Sequence, residues 1–97
     1  MSQWALSHEY LTMAKIEIYT RTTCPYCTMA KRLLENKGQE WEEINLDQDP
    51  DRTTEMLERT GGKRTVPEIF IDGLLVGGYD DLAALESGGG LDSLLAS

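Results

Sequence analysis

Polar and apolar residues alternate along the early part of the chain, and the pattern then changes to helical spacing. Residues 15–20 (Lys-Ile-Glu-Ile-Tyr-Thr) alternate in the way that is typical of a half-buried strand. Over residues 28–37 the apolar positions recur at helical intervals, and Gly38 suits the left-handed conformation that follows a last helical turn. The pattern therefore predicts a strand followed directly by a helix.

The next segments predict a second strand and a second helix. Residues 41–46 favour a strand that runs parallel to the first, because a helix joins the two. The Asp-Pro pair at 49–50 supplies an N-cap and a first-turn proline, and the glycine pair at 61–62 ends the helix. The charged residues of this helix are expected on a solvated face, and they are Asp51, Arg52, Glu55, Glu58 and Arg59.

Two short strands joined by a tight turn are predicted in the last third of the chain. Residues 66–71 and 74–76 carry the strand pattern, and the Asp-Gly pair at 72–73 between them is a strong signal for an antiparallel hairpin. The Asp-Asp pair at 80–81 opens a third helix, since acidic residues suit a first turn. Residues 91–95 add a last amphipathic turn packed on the core.

The two cysteines, Cys24 and Cys27, stand where the first strand meets the first helix. Thiols three residues apart on a first turn lie on one side of the helix, close enough to form a disulfide. Cys24 also faces unpaired backbone N–H groups and the positive end of the helix dipole, which favour the thiolate that attacks disulfides. The predicted elements follow the order strand-helix-strand-helix-strand-strand-helix. A redox Cys-x-x-Cys at the first strand-to-helix junction of such a chain predicts an α/β protein of thioredoxin-like fold. Its four-stranded mixed sheet would carry helices on both faces.

Composition and charge exclude several classes of function. A chain of 97 residues makes one small domain, and its formal net charge of −8 argues against a nucleic-acid surface. The apolar runs are too short for a membrane span. Two cysteines confined to one motif suggest a reducing, cytoplasmic location. A structural zinc site needs about four ligands, and beyond the cysteines only His8 is available, so no metal is expected.

Residues 1–12 carry no sustained pattern, and they are expected to be a flexible N-terminal extension without a chemical role for His8. The domain is predicted to span residues 13–97.

Three short motifs narrow the function. They are Cys-Pro-Tyr-Cys at 24–27, Thr-Val-Pro at 65–67 and Gly-Gly-Tyr-Asp-Asp at 77–81. With these elements at these intervals, the chain from residue 13 onward resembles a glutaredoxin of the dithiol class, and most closely the small bacterial members. Thioredoxins carry Gly-Pro between the cysteines, and the monothiol relatives lack the second cysteine.

The resemblance implies a glutathione-dependent thiol–disulfide oxidoreductase. Cys24 would be the nucleophile and Cys27 the resolving thiol. A glutathionyl–Cys24 intermediate would be released by a second glutathione, whereas protein disulfides would be reduced through a Cys24–Cys27 bond. The implied partners are glutathione as co-substrate, glutathionylated proteins and disulfide-containing enzymes, and the protein would act as a monomer.

The resemblance also implies a groove for glutathione. A cis peptide before Pro67 would leave the backbone of Val66 free to pair with the cysteinyl part of the ligand. Asp80 or Asp81 would lie at its γ-glutamyl end, with simple N-capping as the alternative, and Arg21 together with Lys63 or Arg64 would face its glycyl carboxylate. The implied groove residues are Arg21, Tyr26, Arg64, Thr65, Val66, Pro67, Gly78, Tyr79, Asp80 and Asp81.

The sequence departs from the resembled family at two of these positions. Arg21 stands where lysine is common, and Tyr79 stands where a small residue or cysteine is frequent, so the groove wall is expected to be bulkier. Two alternatives stay open. One is a thioredoxin-like reductant recharged by a flavoprotein reductase, and the other is an iron–sulfur cluster carrier in which Cys24 and glutathione are the ligands.

Overall fold

The computed structural model of the protein describes residues 14–96, so the predicted extension with His8 lies outside the described residues. Within residues 14–96, the strands are β1 (Ile16–Thr20), β2 (Glu42–Asn45), β3 (Glu68–Ile71) and β4 (Leu74–Gly77). The helices are α1 (Pro25–Asn36), α2 (Thr53–Thr60), α3 (Tyr79–Gly88) and α4 (Gly90–Ala96), and a 3-10 turn, Pro50–Arg52, leads into α2.

The strands form one mixed sheet in the order β2-β1-β3-β4. β1 and β2 are parallel because α1 crosses between them, while β3 is antiparallel to both β1 and β4. Asp72 and Gly73 both have positive φ, 51° and 81°, as a tight hairpin turn requires. The predicted four-stranded mixed sheet is therefore confirmed, together with its parallel pair and its hairpin.

Several element boundaries differ from those predicted, and two of the differences concern the site and the core. β3 begins at Glu68 and not at residue 66, because Pro67 has no N–H to contribute to the ladder. The predicted last turn is a complete helix, α4, in which Leu91 and Leu95 are both buried one turn apart. These two leucines extend the core beyond the third predicted helix.

The sheet has a separate hydrophobic cluster on each face, as strand alternation requires. On one face Ile16, Ile18, Ile69 and Ile71 pack against α1, α3 and α4, with Leu82 fully buried among them. On the other face the cluster contains five buried residues, Tyr19, Ile44, Leu46, Met56 and Phe70. Helices on both faces therefore hold the C-terminal end of β1 and the N-terminal end of β3 in place.

Arg59 of α2 lies over this second cluster with 28% of its side chain exposed, which corrects its predicted place on a solvated face, whereas Asp51 and Glu58 are exposed as predicted. Its guanidinium contacts the Glu17 carboxylate at 3.0 Å, donates to the Tyr19 hydroxyl at 3.0 Å and lies 3.9 Å from the Phe70 ring centre. Tyr19 in turn donates to Glu55. The hydrogen bonds to Glu17 raise the pKa of Arg59, so this arginine stays charged. The network attaches α2 to the sheet beside the site described below.

We expect Arg59→Met to lower the free energy of unfolding by about 2 kcal/mol, because the largely buried carboxylate of Glu17 loses its charged partner. Methionine keeps the apolar contact with Phe70, so the loss reports the charged hydrogen bonds. Urea unfolding followed by circular dichroism measures the change. Arg32→Met, which replaces an exposed arginine on α1, is the matched control, and an equal loss in both variants would contradict the role of the network.

Candidate active site

Cys24 and Cys27 form a disulfide at the N-terminus of α1, with a Cα–Cα distance of 5.2 Å. Cys24 is the N-cap residue in an extended conformation, and Pro25 follows at the first helical position. The Cys27 N–H donates to the Cys24 Sγ at 3.2 Å, and the same N–H stabilises a thiolate when the disulfide is reduced. Cys27 is 2% exposed, whereas Cys24 is only half-buried. The first cysteine is therefore the accessible one.

The loop between β1 and α1 is held by Asp47. Its carboxylate accepts from the Thr22 backbone N–H at 2.8 Å and from Arg21 at 3.0 Å. The backbone bond from Thr22 is the main cause of the lowered pKa of Asp47. This pairing directs Arg21 towards the loop that follows β2. The structure thus places Arg21 in a contact that the sequence did not predict.

The segment before β3 lies directly against Cys24. The Val66–Pro67 peptide bond is cis, which confirms the expectation drawn from the family resemblance. The Val66 carbonyl oxygen is 3.9 Å from the Cys24 Sγ. A molecule attached to Cys24 would therefore lie beside the backbone of this segment.

A groove of about 500 Å³ opens beside Cys24, between the 63–68 segment and the start of α3. Eight of the implied groove residues line it: Tyr26, Thr65, Val66, Pro67, Gly78, Tyr79, Asp80 and Asp81. Lys63 and Glu68 complete its wall. Arg21 and Arg64 are not among the lining residues, so Lys63 is the basic side chain that the fold brings to the groove.

The far end of the groove is the N-terminus of α3. The Asp81 carboxylate accepts from the Gly78 backbone N–H at 3.0 Å, so Asp81 caps the helix, while Asp80 is exposed beside it. Gly77 has φ of 117°, and a side chain there would collide with the Asp81 carboxyl group, so this position requires glycine. Backbone N–H groups at such a helix start can bind a carboxylate.

Two tyrosines form one wall of the groove. The Tyr26 and Tyr79 rings stack with centroids 6.1 Å apart and planes inclined by 29°. Tyr26 remains 58% exposed, and Tyr79 packs partly against the core. The aromatic wall therefore links the turn between the cysteines to the first residue of α3.

Glu68 is the groove residue that the sequence analysis missed. It is 1% exposed, and its carboxyl group accepts from the Thr65 hydroxyl at 2.9 Å. Burial raises the pKa of Glu68, against the lowering effects of Thr65 and Lys63. A glutamate inside the otherwise apolar 66–71 run was the signal that could have identified it.

The arrangement is suited to thiol–disulfide exchange. Such an exchange needs an accessible thiolate, a second thiol close to it and a surface beside them for a substrate. The half-buried Cys24 at a helix N-terminus, the buried Cys27 and the adjacent groove meet these geometric requirements. In the part of the chain that the structure describes, no three His, Cys, Asp or Glu side chains cluster as a metal site. None of the helices within residues 14–96 has the length and hydrophobicity of a membrane span.

Comparison with known proteins agrees with this arrangement. Residues 16–76 match the family model for glutaredoxins. The chain is 52% identical to glutaredoxin 3 of Escherichia coli K12 over 83 residues, which are 86% of this chain and 99% of that protein. It is 50% identical over 84 residues to a probable glutaredoxin of Synechocystis, covering 87% of this chain and 96% of that one.

Solved structures show the same relationship. A glutaredoxin from Brucella melitensis superposes with a TM-score of 0.75 at 52% identity, covering 88% of this chain and 91% of that chain. A buckwheat glutaredoxin in complex with glutathione superposes with a TM-score of 0.77 at 32% identity, covering 96% and 88%. Since the fold, the cysteine pair and the sequence all agree, the chain belongs to the glutaredoxin family of thiol–disulfide oxidoreductases, and its Cys24–Cys27 pair fits the dithiol members.

Proposed function

We propose that the protein is a glutathione-dependent oxidoreductase that reduces glutathione mixed disulfides and protein disulfides. The observation that carries the proposal is the position of Cys24, whose Sγ lies 3.9 Å from the Val66 carbonyl oxygen at the side of the groove. The family uses glutathione as a co-substrate. The buckwheat relative, 32% identical to this chain, has been solved as a glutathione complex.

The groove offers a complementary group for each charged end of glutathione. The backbone of Val66 pairs with the cysteinyl part of the ligand, beside Cys24. Of the three basic residues expected at the glycyl carboxylate, Lys63 lines the groove and binds this group. The N–H groups at the start of α3 bind the γ-glutamyl carboxylate. Asp80 holds the ammonium group, since Asp81 already accepts a bond from Gly78.

In the first half-reaction the Cys24 thiolate attacks the glutathionyl sulfur of a mixed disulfide. The new Cys24–glutathione bond forms as the original S–S bond breaks, and the substrate sulfur leaves as a thiolate that takes a proton from solvent. A second glutathione thiolate then attacks the glutathionyl sulfur on Cys24. Oxidised glutathione leaves, and the Cys24 thiolate is regenerated.

Protein disulfides follow the route that needs both cysteines. Cys24 attacks one sulfur of the substrate and forms a mixed disulfide with it. Cys27 then attacks Cys24, so the substrate leaves as a dithiol and the Cys24–Cys27 disulfide remains, the state in which the chain is described here. Two molecules of glutathione reduce that disulfide and become oxidised glutathione.

The proposed partners are glutathionylated proteins and disulfide-containing enzymes. The protein acts on them as a monomer in the cytoplasm. Confinement of both cysteines to one redox motif supports a compartment in which thiols are kept reduced.

We expect Cys24→Ser to abolish glutathione-dependent reduction of a glutathionylated peptide, because a serine hydroxyl cannot carry the exchange. The coupled assay with glutathione reductase measures the rate. The wild-type protein is assayed in parallel. If it is inactive with glutathione but accepts electrons from a thioredoxin reductase, that result contradicts glutathione dependence and favours the thioredoxin-like alternative.

Cys27→Ser is expected to keep activity on the glutathionylated peptide, since that route uses only Cys24. The same variant should lose reduction of a protein disulfide, because the resolving thiol is absent. Both activities are measured on the same preparation. Loss of both would show that Cys27 is required for more than resolution.

Lys63→Gln is expected to raise KM for the glutathionylated peptide roughly tenfold with little change in kcat, because a charge-assisted hydrogen bond to the ligand is lost. Its neighbour supplies the matched control, since Arg64→Gln removes an equal charge from outside the groove lining. Steady-state kinetics at constant ionic strength measures both variants. An equal rise in KM for both variants would show that the loss of net charge causes it, and it would contradict a contact of Lys63 with the ligand.

A further inference from the structure

The buried carboxyl group of Glu68 has no part in the exchange steps described above. Its side chain is 1% exposed, and it lines the groove immediately after the cis Val66–Pro67 bond. One oxygen accepts from the Thr65 hydroxyl at 2.9 Å. The other, Oε1, is buried and has no hydrogen-bond partner among residues 14–96. A buried carboxyl with one unused oxygen in the groove wall therefore needs an explanation.

The groups around Glu68 determine whether its carboxyl group is favoured in the protonated or the ionised form. From the preceding segment Thr65 and Lys63 favour the carboxylate, and from the start of α3 Asp81 disfavours it. On β1 the residue opposite is Tyr19, whose hydroxyl is already bonded to Glu55 and Arg59. Burial is the largest influence and raises the pKa of Glu68. The neutral acid is thus favoured over a wider pH range than for an exposed glutamate.

The hydrogen bond from the Thr65 hydroxyl connects the Glu68 carboxyl group directly to the groove. Thr65 and Val66 are groove residues, and Glu68 begins the strand that anchors them to β1 through its pairing with Tyr19. An added negative charge at Glu68 would lie in the wall of a groove whose proposed ligand carries two carboxylates. It would also lie near the Asp81 carboxylate.

We propose that Glu68 is a positioning residue for the glutathione groove. Its carboxyl group holds Thr65 in place, and the groove binds the anionic ligand when this carboxyl group is neutral. The proposal rests on the glutathione-dependent function proposed above. Ligand binding and protonation of Glu68 then favour each other, so affinity falls as pH rises and Glu68 ionises. Glutamine mimics the neutral acid and removes this dependence.

The test is calorimetric binding of S-methylglutathione between pH 4 and pH 9, because this ligand cannot undergo exchange with Cys24. The range begins where an ordinary carboxyl group titrates and extends in the direction in which burial moves the pKa of Glu68. The wild type and Glu68→Gln are compared in their oxidised forms. We expect Kd of the wild type to rise roughly tenfold more across this range than Kd of the variant. Other groups that titrate in the groove or the ligand are common to both proteins, so the difference isolates Glu68.

Glu58→Gln, an exposed glutamate of α2, is the matched control and should keep the wild-type pH profile. Carbon-13 NMR of the Glu68 carboxyl group in the wild type provides a second measurement that is independent of any variant. Bound S-methylglutathione should raise its titration midpoint. Equal pH profiles of wild type and Glu68→Gln, or a midpoint unchanged by ligand, would overturn the role of Glu68 and leave the groove intact. Absence of binding in every protein at every pH would overturn the glutathione groove and this inference together.

Discussion

The antiparallel pairing of β1 with β3 brings the two halves of the site together. Tyr19, one residue from the end of β1, lies opposite Glu68, the first residue of β3. The chain that leaves β1 therefore reaches Cys24 beside the chain that enters β3 through Pro67. A shift of one residue in this register would move every side chain of β3 to the opposite face of the sheet, out of the hydrophobic cluster into which it packs. The hydrophobic clusters on both faces prevent that shift.

Charge is distributed around the groove by tertiary pairing. The chain carries a formal net charge of −8, yet its proposed ligand is anionic, so the position of each basic side chain matters. Asp47 holds Arg21 at the loop after β2, and Glu17 holds Arg59 over the α2 face of the sheet. Lys63 is then the basic residue that lines the groove, opposite the acidic start of α3.

Sequence-based prediction was accurate where the signal is local and failed where it depends on distant partners. The Asp72-Gly73 turn and the Cys24-Pro25 helix start depend on backbone preferences of adjacent residues, and both were predicted correctly. Arg59 was expected in solvent because helical spacing does not show that Glu17 and Tyr19 lie beneath it. Glu68 was missed because its burial depends on the segment that covers it.

The sequence by itself determined the order of the elements, the pair of cysteines at a helix start and the resemblance to glutaredoxins, because alternation, capping residues and short motifs are encoded within a few residues. Only the tertiary structure decided which charged side chains reach the groove. Lys63 and Arg64 are adjacent in the chain and chemically alike, and the path of the loop places one of them in the groove lining without the other. Likewise, only the packing around β3 converts Glu68 from an ordinary acidic residue into a buried carboxyl group whose raised pKa accompanies its place in the groove wall.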